Sequence, residues 1–445
     1  MKIVIIGAGK VGYTLAQRLT EEDHDVILVD ENSERIDLIR SYLEAMLMVG
    51  NGANPGLLMD IGMEDTELFV AVTDRDEVNL LSCYIAKQLG ATQTIARVRA
   101  KEYILQNNNP ALASLGLNLV INTEMVTANE VMQIIKMPNA LDVENFANGK
   151  VRLLEIKARD NEDMLGKRIR DLEIPDKVLI GGIFRHGRVI IPNGDDTLQM
   201  LDNVFFLGER KAIEGLEEEL ATTRTRIQNV LLVGAGLVGR NLAILLERAD
   251  YHVKVIEKDY ERCELLSAET DNVIVINGDG TDVDLLRDEE VGDYDAIVCL
   301  TDDDKLNLLV ALMARHFGVQ RTLVRVGRPE YIDLMEQVGI DIVFSPRLLT
   351  SNEILRQIRK GEVLSISSFE DSKAVALELK VTEQNPLVHR PLAEINLPGT
   401  TLLAAIVRGE ETIVPNGRTV CEPGDQIVLF TLPEYSDAVI SYMEA

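Results

Sequence analysis

Short apolar runs punctuate the start of the chain at Ile3 to Ile6, Val26 to Val29, Phe69 to Val72, Thr94 to Val98 and Leu119 to Ile121. Runs this short, without polar alternation, are the pattern of strands buried on both faces of a parallel sheet. The stretches between them, such as TLAQRLTEE and NLLSCYIAKQLG, carry apolar residues at helical spacing. Strand–helix alternation of this kind predicts a doubly wound α/β sheet of Rossmann-like form. The pattern changes at Val151 to Leu207 and again at Ala374 to Leu432, where short strands are separated by Asn-Gly and Pro-Gly turns. Those segments predict small α+β lobes. Gly208 to Gln228, rich first in Glu and then in Thr and Arg, is expected to be a last helix and a linker.

The pattern also repeats. KIVIIGAGKVG returns as NVLLVGAGLVG, with Gly7 matching Gly234, 227 positions later. VILVD, ending at Asp30, returns as VKVIE, ending at Glu257; AVTDRDEVNLL returns as CLTDDDKLNLL, and ANEVMQIIK as SNEILRQIR. The similarity continues beyond the Rossmann pattern, since VIIPNGDDTLQMLDNVFFL matches TIVPNGRTVCEPGDQIVLF. Ordered matches at near-constant offset over both kinds of lobe mean that one two-lobe module is duplicated in tandem. The expected lobes are 1–137 (Rossmann-like), 138–221 (small α+β), 222–360 (Rossmann-like) and 361–445 (small α+β).

Composition narrows the class. The net charge is −28, so nucleic acid and anionic lipid would be repelled and neither is an expected partner. Solubility from glutamate-rich helix faces accounts for the excess acid, with divalent-cation binding between subunits as the functional alternative. Nothing at the N-terminus resembles a signal peptide, and no apolar run approaches the roughly 20 residues that cross a bilayer. A cytoplasmic protein is expected. Cys83, Cys263, Cys299 and Cys421 form no CxxC pair and are expected to be buried thiols. The histidines show no metal-ligand spacing, so no metal site is expected.

The chemistry gathers where strands end. Gly7-Ala8-Gly9-Lys10-Val11-Gly12 follows a strand and opens a helix, the context in which GxGxxG is informative. Gly7 is expected to permit the tight turn, Gly9 the approach of a pyrophosphate, and Gly12 close packing of helix on strand. The pyrophosphate would meet the free N–H groups of the helix start. Asp30, at the end of the second strand, suits ribose hydroxyls and would repel a 2′-phosphate, which favours NAD(H) over NADP(H) and leaves ATP or ADP open. The second module repeats the set as Gly234-Ala235-Gly236-Leu237-Val238-Gly239 with Glu257.

Further candidates line the same crevice. Asn51 and Gly52, with Asp279 and Gly280, follow the third strand and would lie beside adenine or ribose. Thr73 and Asp74, with Thr301 and Asp302, follow the fourth strand; for Asp74 and the Asp302-Asp303-Asp304 run, helix N-capping is the plain structural alternative. Arg97 has a partner in Arg325, whereas Arg99 faces Gly327 and Lys10 faces Leu237. The first module is therefore expected to offer a polyphosphate more positive charge. A solvated surface role is the alternative for Lys10 and Arg99. No acid–base arrangement recurs in both modules, and His186 and His389 do not match between them. Binding without turnover, hence no catalytic residue, is the expectation. An NAD-dependent oxidoreductase, or an NAD/NADH redox sensor acting on another partner, is the alternative.

In their order, GAGxVG, VD, GNG/GDG, VTDxDExN and ARVR resemble the TrkA-type tandem RCK (KTN) family, the regulators of potassium conductance. The resemblance covers essentially the whole chain. It implies a non-enzymatic gating-ring subunit of a Trk-type potassium uptake system, with partners taken from the family alone: a separate membrane potassium-translocating protein of TrkH or TrkG kind, and copies of the chain itself in a homotetrameric ring. The subunit would sit at the inner face of the membrane through that partner. Carried residue by residue, the nucleotide contacts would be Gly7 to Val11, Asp30, Thr73, Asp74 and Arg97, with Gly234 to Val238, Glu257, Thr301, Asp302 and Arg325 in the second module. Asn51 stands where an acid is common in the family, and Leu237 where a polar residue is often found.

Overall fold

A computed structural model describes residues 1–100, 103, 115–136, 140–158, 162–220, 227–358, 363–369 and 374–443. In the first lobe the strands are β1 (Lys2–Ile6), β2 (Asp25–Asp30), β3 (Met46–Val49), β4 (Leu68–Ala71), β5 (Gln93–Arg97) and β6 (Leu119–Ile121). Its helices are α1 (Lys10–Glu21), α2 (Ser33–Ile39), α3 (Pro55–Ile61), α4 (Asp76–Gln88) and α5 (Thr123–Lys136). The small lobe that follows has β7 (Ala140–Phe146), β8 (Val151–Lys157), β9 (Val178–Arg185), β10 (Arg188–Ile190), β11 (Asn203–Glu209) and α6 (Arg210–Leu220). The linker expected after α6 lies partly outside the described residues.

The second Rossmann lobe repeats the plan with β12 (Asn229–Val233), β13 (His252–Glu257), β14 (Ile274–Asn277), β15 (Ala296–Cys299), β16 (Arg321–Arg325) and β17 (Ile342–Phe344). Its helices are α7 (Leu237–Arg248), α8 (Tyr260–Glu269), α9 (Val283–Asp288), α10 (Asp304–Phe317), α11 (Ile332–Gln337) and α12 (Pro346–Ile358). The last lobe has β18 (Val363–Phe369), β19 (Ala374–Lys380), β20 (Thr401–Arg408), β21 (Glu411–Ile413), β22 (Gln426–Thr431) and α13 (Pro433–Met443).

Both large sheets are parallel and doubly wound, in the orders β3-β2-β1-β4-β5-β6 and β14-β13-β12-β15-β16-β17. The central strand β1 pairs Ile3 with Val26 on one side and with Leu68 on the other. Strand order therefore reverses between β1 and β4, and a crevice opens beyond their carboxyl ends. The sequence runs read as strands are fully buried at their centres, as in Ile3, Val4 and Ile5. The small sheets are antiparallel, and the duplication extends to their irregularities. A register shift in the β9–β11 pair at Phe205/Phe206 recurs in the β20–β22 pair at Leu403/Ala405.

The compact units do not follow the order of the modules. Residues 1–132 and 227–358 form one unit, and residues 133–226 and 359–445 form the other. Like lobes pair with like. In the Rossmann unit, Ile354 and Leu355 of α12 enter the core of the first lobe beside Leu15 and Leu19 of α1. Arg18 of α1 also donates a hydrogen bond to Asn352 of α12. In the small-lobe unit, one apolar core joins Phe146, Leu153 and Phe205 to Ala374, Ala404 and Phe430. The rings of Phe205 and Phe430 stand 5.5 Å apart, close enough for a favourable tilted contact. The four cysteines are free and buried, as expected. Among the described residues, no helix is long and apolar enough to cross a membrane.

A second-lobe helix that completes a first-lobe core ties the two lobes energetically. Ile354→Ala should lower the unfolding free energy by about 2–5 kcal/mol, read by urea denaturation. A loss below about 0.5 kcal/mol would mean that the site is not packed as described.

Candidate nucleotide-binding site

The phosphate loops owe their shape to backbone space. Gly7 has φ +105° and Gly234 φ +106°, conformations that an L side chain rarely adopts. A Cβ on Gly12 would stand 1.8 Å from the Gly7 carbonyl oxygen, and one on Gly239 2.0 Å from that of Gly234. The third glycine thus lets the helix pack on its own loop as well as on the strand behind it. Gly9 and Gly236 have no other atom within 4 Å of an added Cβ, so these positions face open space.

An acid at the end of the second strand holds each loop. Asp30 Oδ2 accepts hydrogen bonds from Ala8 N at 2.7 Å and Arg35 Nη1 at 3.0 Å, while Oδ1 accepts from Asn32 N at 2.9 Å. In the second lobe, Glu257 Oε2 accepts from Ala235 N at 2.6 Å and Oε1 from Asp259 N at 2.8 Å. Both carboxylates are almost fully buried, yet both line the crevice. A carboxylate has about four acceptor positions; three on Asp30 are taken, which leaves room for one further donor such as a ribose hydroxyl.

The crevices of the two Rossmann lobes form one cavity of about 870 Å³, which meets residues of both phosphate loops. That volume falls within the roughly 300–1,000 Å³ of cofactor and small-molecule sites. Gly7, Gly9, Lys10, Val11, Asp30 and Asn51 line it, as do Gly52, Thr73, Asp74, Arg97 and Arg99. From the second lobe come Gly234, Gly236, Leu237, Val238 and Glu257, with Asp279, Gly280, Thr301, Asp302 and Arg325. Ala8, Gly12, Ala235 and Gly239 stand behind that surface: the two alanines offer their N–H groups to the acids, and the two glycines make room for the loops.

The acids after the fourth strand divide their work. The N-cap of α4 is Arg75, so Asp74 is not a cap. Asp303 is the side-chain cap of α10, accepting from Lys305 N and Leu306 N. Asp302 instead pairs with Arg325 at 2.8 Å. Asp76 accepts from Arg99 N and Ala100 N, and Asp304 from Gly327 N. Asn51 and Asp279 each accept a backbone N–H two residues ahead, an Asx turn that shapes the third-strand loop. Hydrogen bonds from Thr281, then the Lys258 ammonium, hold the Asp279 carboxyl well below the usual carboxylate range.

Sequence reasoning missed Asn79 and Asn307. Each is fully buried and fully engaged. Asn79 Oδ1 accepts from Thr73 N and Thr73 Oγ1, and its Nδ2 donates to the carbonyls of Thr73 and Arg97. Asn307 makes the same four bonds to Thr301 and Arg325. This amide staples the ends of adjacent strands and fixes where the arginine leaves the sheet. Its signal was the Asn that closes both VTDRDEVN and LTDDDKLN.

Glu124 was missed as well, and it corrects the expected charge balance. Arg97 Nη2 bonds Glu124 Oε1 at 3.1 Å, and Arg99 Nε lies 3.9 Å from the same oxygen. Burial lowers the pKa of the Arg97 guanidinium, and the charge of Glu124 opposes that shift. The first lobe therefore does not present Arg97 and Arg99 as free positive charge. Lys10 does not serve its own lobe alone either, because a Cβ on Gly327 of the second lobe would stand 3.5 Å from Lys10 Nζ. The first-lobe ammonium fills space left where the second lobe lacks a counterpart of Arg99.

Comparison with known proteins agrees with this architecture. The TrkA-N domain family matches residues 3–123 and 230–346, and the TrkA-C domain family matches residues 153–221 and 376–444. Trk system potassium uptake protein TrkA homolog 1 of Methanosarcina mazei is 35% identical over 452 residues, covering 100% of both chains. Among solved structures, the GsuK channel bound to NAD aligns with a TM-score of 0.66 at 18% identity, over 100% of this chain and 79% of that one. GsuK bound to ADP aligns with a TM-score of 0.52 at 16% identity, over 80% of this chain and 69% of that one. At such identities the structural likeness speaks for the fold. Domain matches over all four lobes and a relative at this identity across the whole span place the chain in the TrkA family.

Proposed function

We propose that this chain is a nucleotide-binding regulatory subunit of a Trk-type potassium uptake system, controlling a separate membrane protein through ligand-dependent changes of shape. The observation that carries this reading is the single cavity lined by both Rossmann lobes. A ligand there touches two bodies, so its binding energy depends on how the lobes are arranged. Differential affinity for two arrangements is what shifts an equilibrium between them. The family relationship, with relatives named as potassium uptake proteins, supplies the process being regulated.

The ligand is a nucleotide with an unmodified ribose. Gly9 and Gly236 leave open space before the helix starts, and Asp30 and Glu257 stand where ribose hydroxyls would donate. NAD(H) fits this set, as does ADP or ATP, and the similarly folded GsuK has been seen with NAD and with ADP. The nucleotide acts as an effector and is not turned over. The partner is a potassium-translocating membrane subunit of TrkH or TrkG kind, and the regulatory subunits form a tetrameric ring on its inner face.

Calorimetric titration of the full chain with NADH and ADP tests the binding sites. Asp30→Ala and Glu257→Ala should each weaken one of two sites by roughly 10- to 100-fold, the loss of hydrogen bonds to a charged group. Unchanged affinities in both variants would remove the assignment. Gly12→Ala, whose methyl meets a backbone carbonyl, should abolish first-lobe binding while circular dichroism stays unchanged. Retained binding would show that the loop geometry is not required. For the process itself, the tagged chain should co-purify from detergent-solubilised membranes with a potassium-translocating protein, and its deletion should reduce potassium uptake; uptake unaffected by deletion would refute the role.

A further inference from the structure

Where β5 and β6 end in the first lobe, one side-chain amide closes the corner between them. Asn122 is buried, and its Nδ2 donates to the carbonyls of Val98 and Arg99 at 3.0 Å each, while its Oδ1 accepts from Met125 N. Asn122 stands behind the cavity wall, which Arg99, Thr123 and Glu124 form on this side.

The second copy lacks that amide. Aligned through LGLNLVINT and VGIDIVFSP, Asn122 is matched by Ser345 and Thr123 by Pro346, while Arg99 faces Gly327. Serine is shorter than asparagine, Gly327 has no side chain, and Pro346 has no N–H to give. Ser345 is 2% exposed, and its Oγ has no hydrogen-bond partner. The Gly327 N–H is taken by Asp304, but no side chain among the described residues donates to the Gly327 carbonyl. Val326, Gly327, Ser345 and Pro346 all line the cavity, which thus reaches into the corner that Asn122 fills in the first lobe. A buried hydroxyl without a partner is costly unless something else satisfies it.

The nearby charges are already paired. Arg325 Nη1 donates to the Thr301 carbonyl and to Asp302, and Arg347 Nη2 to Glu330. The corner itself therefore offers neutral chemistry, one hydroxyl and one carbonyl. A primary carboxamide, which both donates and accepts, matches that pair as the Asn122 amide matches its own surroundings. Position says which molecule would bring one. A dinucleotide crosses the crevice where strand order reverses, one mononucleotide to each side. With adenosine at Glu257 on β13, its second half lies toward β15, β16 and β17, and in NAD the ring of that half carries a primary carboxamide.

We infer that Gly327 and Ser345 form a carboxamide subsite in the second lobe, where the nicotinamide amide of NAD(H) donates to the Gly327 carbonyl and accepts from Ser345 Oγ. The first lobe closes the same place with its own Asn122. The second lobe thereby reads the amide of a dinucleotide, and the first does not. This assignment rests on the nucleotide-binding reading above and names the ligand of one of its two sites.

The test is calorimetry on the full chain carrying Asp30→Ala, which silences the first lobe. Acetylpyridine adenine dinucleotide has the charge and outline of NAD, with a methyl group in place of the amide nitrogen. It should bind the second lobe about 10-fold more weakly than NAD, because the Gly327 carbonyl loses its donor. With Glu257→Ala in place of Asp30→Ala, the two dinucleotides should bind the first lobe alike. Ser345→Asn, which supplies the first-copy amide, should remove the second-lobe preference for NAD over acetylpyridine adenine dinucleotide. Should that variant fold poorly, the comparison of the two dinucleotides at the unaltered corner decides without it. Equal affinities at the second lobe, or the same preference at both lobes, while Glu257→Ala abolishes second-lobe binding, overturn the subsite alone. Binding untouched by Glu257→Ala overturns the nucleotide reading and this inference with it.

Discussion

The hydrogen bond from a phosphate-loop amide to a buried acid is the contact on which the rest of each lobe is arranged. Ala8 N reaches Asp30, and Ala235 N reaches Glu257, across a separation of 22 residues in both copies. Parallel register makes the contact possible, since Ile6 pairs with Val29 and Val233 with Ile256, which sets loop and acid side by side at the sheet edge. Gly7 N and Gly234 N are tied to the Val29 and Ile256 carbonyls, the next amide to the acid, and the loop turns through the positive φ of Gly7 or Gly234. A bond from a neutral donor to an ionised acceptor is worth about 1.5–3 kcal/mol. That is enough to hold a loop in one conformation before any ligand arrives.

Duplication then shows which parts answer to the fold and which to the ligand. Groups bonded to buried partners are the same in both copies: the buried Asn79 and Asn307, and the pairs Arg185–Asp202 and Arg408–Asp425, whose acids are buried. The differences lie among groups that face the cavity, even though Thr73, Asp74 and Arg97 there match Thr301, Asp302 and Arg325: Lys10 against Leu237, Arg99 against Gly327, Glu124 against Arg347. Removing a partner from a buried bonded pair costs far more than changing a group that looks into solvent or ligand. Two copies under the same structural demand therefore keep the former and are free to diverge in the latter.

Much of this was legible in the sequence because parallel strands announce themselves as unbroken apolar runs and glycine-rich loops as fixed spacings. Strands β1, β2, β4, β5 and β6 lie where those runs lie. The pairing of like lobes was not legible. Ile354 and Leu355 read as the buried face of a local helix, and periodicity does not say whose core that face enters. Glu124 was passed over because it sits at the first turn of a helix, where acids are ordinary; only the tertiary fold brings Arg97 and Arg99 to it. The same limit misled the charge count around the first phosphate loop. Asp74 illustrates the converse, since a residue just ahead of a helix looks like a cap until the helix is seen to begin one position later.

A shared cavity also changes what ligand chemistry can accomplish. To move two lobe arrangements from 1:99 to 99:1 requires about 5.5 kcal/mol of differential binding, more than one hydrogen bond supplies. A ligand that touches only its own lobe contributes nothing to that difference, however tightly it is held. Lys10 standing over Gly327 shows that the lobes already reach into each other's sites. A charged group held beside Gly327 would therefore meet the Lys10 ammonium of the other lobe. Because the copies carry Glu124 and Arg347 at matched positions of one cavity, a molecule held there would meet opposite charges in the two lobes.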